Sequence, residues 1–306
     1  MIFELTILGC NAAIPAHNRH PTAQILQIDQ SYFLIDCGEG TQMQLSKFKI
    51  RPNRIHYIFI SHLHGDHYLG LTGLISTMHL HKRTDDLYLY GPIGLAEIIT
   101  LQLKYSDTRL NYRICFHEID TEARKVILEN DWLTVETIPL IHRINCAGFL
   151  FREKPKRHRL RKDVLPNGIS LVNLIILKKG LDVMDEEGNV LMKNEDFTLP
   201  PRKSRSYAYC SDTRYNEAIV PQIQAVDLLY HESTFLDDEA VRAGETFHST
   251  AKQAATIARL AKVKKLVLGH YSSRYQELHP FQEEAEAIFT PAVLAIEGHR
   301  ITVEEE

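Results

Sequence analysis

The sequence predicts an α/β fold, and two features carry that prediction. Short apolar runs rich in β-branched and aromatic residues recur along the 306 residues, and segments with helical apolar spacing lie between several of them. The expected strands, in chain order, are Ile2 to Leu8, Tyr32 to Ile35, Ile55 to Ile60, Leu87 to Tyr90, Leu133 to Ile138, Tyr207 to Cys210, Val226 to Tyr230 and Val263 to Leu268. Each is dense in side chains that pack well on a pleated surface. The expected helices are Leu69 to His81, Ile93 to Leu103, Thr250 to Ala261 and Phe281 to Phe289. Ser249-Thr250 before the periodic Ala251 to Ala261 is an ordinary helix start. With 44% apolar and 24% charged residues, the chain has the composition of a soluble globular protein. It is long enough to bury a core without disulfide staples.

The alternation breaks between residues 152 and 206. Here the composition turns polar, Pro155, Pro166, Pro200 and Pro201 interrupt it, and Leu171 to Leu177 is the one convincing apolar run. This segment is expected to be an arm inserted into a single domain spanning residues 1–306. Its first part carries Arg152, Lys154, Lys156, Arg157, Arg159, Arg161 and Lys162 against Glu153, a local charge of +6 in a chain of net charge -4. The net charge argues against a protein that coats nucleic acid by bulk attraction, but it leaves room for a local basic arm. A solvated basic face would read the same way. Cys10, Cys37, Cys115, Cys146 and Cys210 stand alone without a CxxC pair, so a reducing cytoplasm is expected and a disulfide framework is not. The first residues run straight into a strand pattern, and no stretch approaches 18 consecutive apolar residues. Neither a secretory leader nor a membrane span is expected.

The most informative stretch is Ser61-His-Leu-His-Gly-Asp-His67, directly after an expected strand and before a helix. In extended backbone, residues two apart face the same side, so His62 and His64 can hold one cation together. Asp66 and His67, on the turn into the helix, can address a second. Three imidazoles and a carboxylate supply nitrogen and oxygen donors suited to zinc, and manganese, iron or cobalt would also be accepted.

Here the sequence resembles the metallo-β-lactamase superfamily, whose HxHxDH signature matches His62, His64, Asp66 and His67. The resemblance implies an αββα four-layer sandwich with metals at one edge of the paired sheets. Later ligands of that family find counterparts in His142, Asp212 and His270, each just beyond an expected strand. It implies one zinc held by His62, His64, His142 and Asp212, and a second by Asp66, His67, His270 and Asp212. A shared carboxylate would let two divalent ions coexist about 3.5–4 Å apart, and such a pair lowers the pKa of bound water towards neutrality. Taken alone, His142 and His270 could be structural, and Asp212 in Cys-Ser-Asp-Thr-Arg could be a turn or cap residue.

The resemblance narrows to the ribonuclease Z family, endonucleases that remove the 3′ trailer of precursor tRNA. Leu8-Gly-Cys-Asn-Ala-Ala-Ile-Pro15 and Phe33-Leu-Ile-Asp-Cys-Gly-Glu-Gly-Thr-Gln42 look like two of its segments. Leu229-Tyr-His-Glu-Ser-Thr-Phe235 is similar to its HEAT loop, with Ser233 in place of the usual Ala, and Thr246-Phe-His248-Ser249-Thr250 matches its HST loop. The likeness implies that His248 protonates the leaving oxygen, that Glu232 orients His248, and that Asp66 is both ligand and proton acceptor. A zinc-bound carboxylate is a poor base, so orienting the attacking water is the first duty expected of Asp66. It also implies two zinc ions per subunit, a homodimer, and a tRNA-binding exosite in the arm, where Lys154, Lys156, Arg157, Arg159, Arg161 and Lys162 would meet RNA. One departure stands out: Gly168-Ile-Ser-Leu-Val-Asn-Leu-Ile-Ile-Leu-Lys178 lacks the Gly-Pro pair common in that arm. Two rivals remain at this stage. One is another hydrolase of the same fold, a phosphodiesterase or thioesterase, and the other is a non-catalytic RNA-binding scaffold.

Overall fold

A computed structural model describes residues 2–305. Its framework is two seven-stranded sheets. The first runs, edge to edge, Arg300–Thr302, Phe3–Gly9, Ala23–Ile28, Ser31–Cys37, Ile55–Phe59, Leu87–Gly91 and Ile114–Glu118. The second runs Ala292–Leu294, Leu266–Gly269, Leu228–Glu232, Ser206–Cys210, Ala147–Glu153, Leu133–Pro139 and Val126–Glu129.

Period-two alternation divides the inner strands of the first sheet between two apolar cores. Phe3, Leu5, Ile7, Phe33, Ile35 and Phe59 face the other sheet and meet Phe149, Phe151, Tyr207 and Tyr209. Leu8, Leu34, Ile58 and Leu89 face outward and are covered by Leu45, Leu74, Ile75, Met78, Leu95 and Ile99 of the helices Thr41–Lys47, Leu71–Leu80 and Leu95–Tyr105. Burial on both faces explains why these strands read as continuous apolar runs. The second sheet carries Ala251–Leu260 and His279–Glu286 on its outer side. Thr250 and Gln253 cap the first of these helices reciprocally. The layers are helix, sheet, sheet, helix, as the resemblance implied.

Each sheet contains a parallel block of four strands. The loops beyond their carboxyl ends are where an open α/β sheet presents its binding groups. Two details differ from the sequence reading. Six strands of the two sheets lie outside the expected runs: Ala23–Ile28, Ile114–Glu118 and Ala147–Glu153, where Gln24, Gln27, His117, Glu118, Gly148 and Arg152 dilute the apolar signal, and the short Val126–Glu129, Ala292–Leu294 and Arg300–Thr302. The strand expected from Val226 lies at Leu228–Glu232, shifted so that Glu232 ends it.

The chain leaves the second sheet after Glu153 and re-enters at Ser206, whose partner in the register is Arg152. Between them lie two small two-stranded ribbons and the helix Leu171–Lys178, capped by Ser170. Only Leu177 of that helix is buried; Leu171, Val172 and Ile175 face outward. No helix among the described residues is long and apolar enough to cross a membrane.

Candidate metal centre

The strand Ile55–Phe59 ends just before Ser61, and extended backbone continues to His64, so His62 and His64 share a side as the spacing required. The short helix Gly65–Tyr68 then turns Asp66 and His67 inward. This turn is pressed against the loop that follows Ser31–Cys37. Gly70 donates from its backbone to the Cys37 carbonyl at 2.9 Å, and a Cβ at Gly70 would lie 2.1 Å from the Gly38 carbonyl oxygen. Only glycine allows that approach.

All seven expected ligands converge. His62 Nε2 and His142 Nε2 lie 3.1 and 3.0 Å from His64 Nδ1, and 3.4 and 3.6 Å from Asp212 Oδ2. The other oxygen, Asp212 Oδ1, lies 3.2 Å from His67 Nε2 and 3.0 Å from His270 Nε2. Asp66 Oδ2 is 3.4 Å from both of those nitrogens. Asp212 thus spans two donor groups, one oxygen to each. A tetrahedral ion with 2.0–2.1 Å bonds requires ligand atoms about 3.3 Å apart, close to these separations.

Electrostatics also favour cations. Asp66 and Asp212 are held far below the usual carboxylate range: burial opposes their ionisation, but His67 for Asp66 and His270 and His67 for Asp212 outweigh it. Burial pushes His64 and His142 down to about 4, with the neighbouring His62 adding to the effect, so both rings are neutral donors. His67 is driven upward despite its burial, because Asp212, Asp66 and Asp36 surround it. A proton there stands in for positive charge that divalent metal would supply. The residues present fit a dinuclear nitrogen-and-oxygen centre.

Positive backbone φ, found at several turns of the described chain, also recurs at this site. Asp36, Asp212, Phe247 and His270 all have φ between 53° and 61°. Aspartate and histidine tolerate this region, whereas a bulky Phe adopts it only when its surroundings impose it. At Phe247 the result is a carbonyl aimed at His142 Nδ1, 3.1 Å away.

Most of the seven expected ligands have such an orienting partner. Asp36 Oδ2 accepts from His67 Nδ1 at 2.7 Å, from Ser61 Oγ at 2.8 Å and from Tyr209 of the opposite sheet at 2.5 Å. Ser61 Oγ lies 3.0 Å from His62 Nδ1, and Thr234 Oγ1 lies 3.0 Å from His270 Nδ1. Asp66 Oδ2 accepts from the Ala13 backbone at 2.8 Å. The sequence reading assigned no role to Asp36, Ser61, Thr234 or Phe247. Asp36 lies in the quoted Asp-Cys-Gly-Glu-Gly segment, and its place at a strand end was the available signal.

Beside the ligands, His248 Nδ1 lies 2.9 Å from Glu232 Oε1. Glu232 is fully buried and also accepts from the backbones of Thr213, Thr234 and Ser249 and from the Thr234 hydroxyl. Burial works against a charged imidazole, but Glu232 outweighs it and raises His248 to about 9. Cations bound alongside would repel a protonated ring and bring that value back towards neutrality. Ser233, the departure from Ala, is accommodated by donating to the Gly269 carbonyl at 3.2 Å.

These groups open into a cavity of about 460 Å³ lined by Ala13, Glu39, Asp66, Arg143, Phe247 and His248 among others. The basic side chains of residues 154–162 have varied surroundings. Lys154 pairs with Glu129, and Lys156 is mostly buried between Glu153 and Glu305. Arg161 donates to the Asp196 carbonyl, whereas Arg157, Arg159 and Lys162 are exposed.

Two facing sheets with this donor set along one edge define a metal-dependent hydrolase of the metallo-β-lactamase fold. A family profile described as anti-Pycsar protein Apyc1 matches residues 3–154, a span that holds the HxHxDH motif and His142 but not Asp212, His248 or His270. Ribonuclease Z of Cytophaga hutchinsonii is 51% identical, covering 100% of this chain and 97% of that protein. Ribonuclease Z of Bacteroides thetaiotaomicron is 46% identical, covering 98% and 95%. The crystal structure of human tRNase Z, short form, superposes with a TM-score of 0.72 at 29% identity, over 98% of this chain and 99% of that one. The chain belongs to the ribonuclease Z family.

Proposed function

We propose that this protein is the endoribonuclease that removes the 3′ trailer of precursor tRNA, leaving a 3′-hydroxyl on the tRNA and a 5′-phosphate on the trailer. Full-length identity to ribonucleases Z supports this reading. The observation that carries it is the pairing, in one cavity, of a two-group metal donor set with a buried Glu232–His248 dyad. His62, His64, His142 and Asp212 would hold one zinc, and Asp66, His67, His270 and Asp212 the other. Two such ions would generate a nucleophile from water at neutral pH and neutralise charge developing on the phosphoryl oxygens.

The remaining chemistry belongs to the chain. Asp66 is too weak a base to act mainly as proton acceptor, and its carboxylate orients the attacking water. His248, protonated through Glu232, stands at the cavity wall and donates its proton to the departing 3′ oxygen. A non-catalytic scaffold has no use for this dyad, and a thioesterase, whose thiolate leaves readily, does not need it.

The arm gives the tRNA body a place to bind, since folded RNA is recognised mainly by shape and phosphate contacts. Replacing Arg157, Arg159 and Lys162 with Gln is expected to weaken precursor binding and flatten its salt dependence. We also infer a cytoplasmic homodimer. Unpaired cysteines suit a reducing compartment, and the homodimer rests on the family resemblance. The deciding experiment incubates the purified protein with precursor tRNAs, with and without an encoded CCA end and with and without a chelator, and maps the ends. Greater activity on a thioester than on precursor tRNA would overturn the assignment.

A further inference from the structure

The distant ring nitrogens of the metal-facing histidines are not treated alike. On His62, His67, His142 and His270 that nitrogen meets an oxygen: Ser61 Oγ, Asp36 Oδ2, the Phe247 carbonyl and Thr234 Oγ1. His64 differs. Its Nδ1 faces the ligand cluster, and its Nε2 lies 3.3 Å from a guanidinium nitrogen of Arg143. With Nδ1 given to a metal, a neutral imidazole carries its hydrogen on Nε2, and a guanidinium has donors only. Two N–H donors then point into the same space with no acceptor between them.

Arg143 is exposed, lines the metal cavity and meets no carboxylate among the described residues. Some arginines elsewhere meet carboxylates, as in Arg124–Glu136 and Arg205–Glu153, and others such as Arg83 donate to backbone carbonyls, but none of these faces a histidine N–H at a cavity mouth. A charged donor left without an acceptor beside a second donor, at the mouth of a reaction cavity, is a preformed anion position.

We propose that Arg143 and His64 Nε2 together bind a phosphate oxygen of the RNA strand. The phosphate is the one adjoining the scissile linkage, because the His64 imidazole separates this point from the nitrogens that face the metals. The acceptor completes the orienting partner that His64 alone lacks. Substrate binding thereby fixes the ring that holds the first ion. The proposal rests on the dinuclear reading of the cluster, since without metal on Nδ1 the imidazole could accept from Arg143 instead.

The test uses the metal-loaded protein and a labelled precursor tRNA carrying a non-hydrolysable methylene-phosphonate linkage at the cut. Binding is followed by anisotropy over a range of salt, alongside metal content per chain and cleavage of the ordinary precursor. For Arg143→Gln the expected result is about tenfold weaker binding, a salt slope lower by about one, and unchanged metal content. Arg143→Lys should recover most of the slope but only part of the affinity, because an ammonium restores charge without the planar fork. Binding and slope equal to wild type would overturn the proposal. Weaker binding accompanied by loss of metal would also overturn it, since Arg143 would then be a support for His64. If the wild type binds the RNA but does not cleave the ordinary precursor, the proposed function fails while the Arg143 comparison still stands. Absence of wild-type binding sinks both.

Discussion

Replacing Glu232 with Gln should separate the proton-donating role of His248 from metal chemistry. Oε2 of Glu232 accepts three donors, from Thr234 N, Thr234 Oγ1 and Ser249 N, and Oε1 accepts two, from Thr213 N and His248 Nδ1. A Gln side chain will keep its carbonyl on the three-donor side and turn its amide towards Thr213 and His248. The Thr213 N–H is then left unsatisfied at a cost of roughly 1–3 kcal/mol. His248 Nδ1 must become an acceptor, which leaves the ring neutral with its proton on Nε2, a far weaker acid. Loss of a positioned general acid lowers the rate by about 10²–10⁴. The sign follows from the shift: Glu232 raises His248 to about 9, and the proton donor is lost as pH rises through the folded-state value. Without Glu232 the alkaline limb of kcat should move to lower pH. The assay is single-turnover cleavage of precursor tRNA across pH, with metal content measured on the same samples. A substrate with an activated aryl leaving group needs no proton donor and should lose much less rate. An unmoved alkaline limb with a rate within about threefold of wild type would refute the dyad's role.

Other outcomes follow from the same structure. Asp212→Ala removes a ligand from both donor groups, so atomic absorption should show loss of bound metal together with loss of RNA cleavage; full metal content with unchanged cleavage would contradict the shared-carboxylate reading. Gly70→Ala places a Cβ 2.1 Å from the Gly38 carbonyl oxygen and 2.9 Å from that of Cys37, forcing the two loops apart; a destabilisation of about 1–3 kcal/mol or more by urea unfolding and weaker metal retention are expected. Glu153 is buried, which opposes its charge, yet Arg205 and Lys156 hold it below the ordinary carboxylate range. Its contribution is therefore present above the unfolded value near about 4.3 and lost as pH falls through the folded one. Glu153→Gln removes the carboxylate that Arg205 meets at 2.7 Å, so it should cost about 3–5 kcal/mol at neutral pH and flatten the acid limb of the stability curve.

The α/β class and the family were legible in the sequence, because each is written locally, and the seven residues expected as ligands came from one local motif and from resemblance. Apolar runs specify strands whichever neighbours they later find, and His-x-His on extended backbone followed by Asp-His on a turn brings donors together over a few residues. The Glu232–His248 pair was also readable, through motifs that resemblance supplied. Strands such as Ala147–Glu153 were not, since Gly148, Arg152 and Glu153 interrupt the apolar pattern while cross-strand partners on both sides compensate. The basic cluster was legible as charge but not as surface: Lys156 is enclosed by Glu153 and by Glu305, about 150 residues away. Packing of distant segments set the division of the two Asp212 oxygens between two donor groups, the reach of Tyr209 to Asp36 across the sheets, and the approach of Arg143 to His64 without an acceptor. These depend on distances between segments far apart in the chain, set by how the two sheets pack, and no local pattern of residues encodes such a distance.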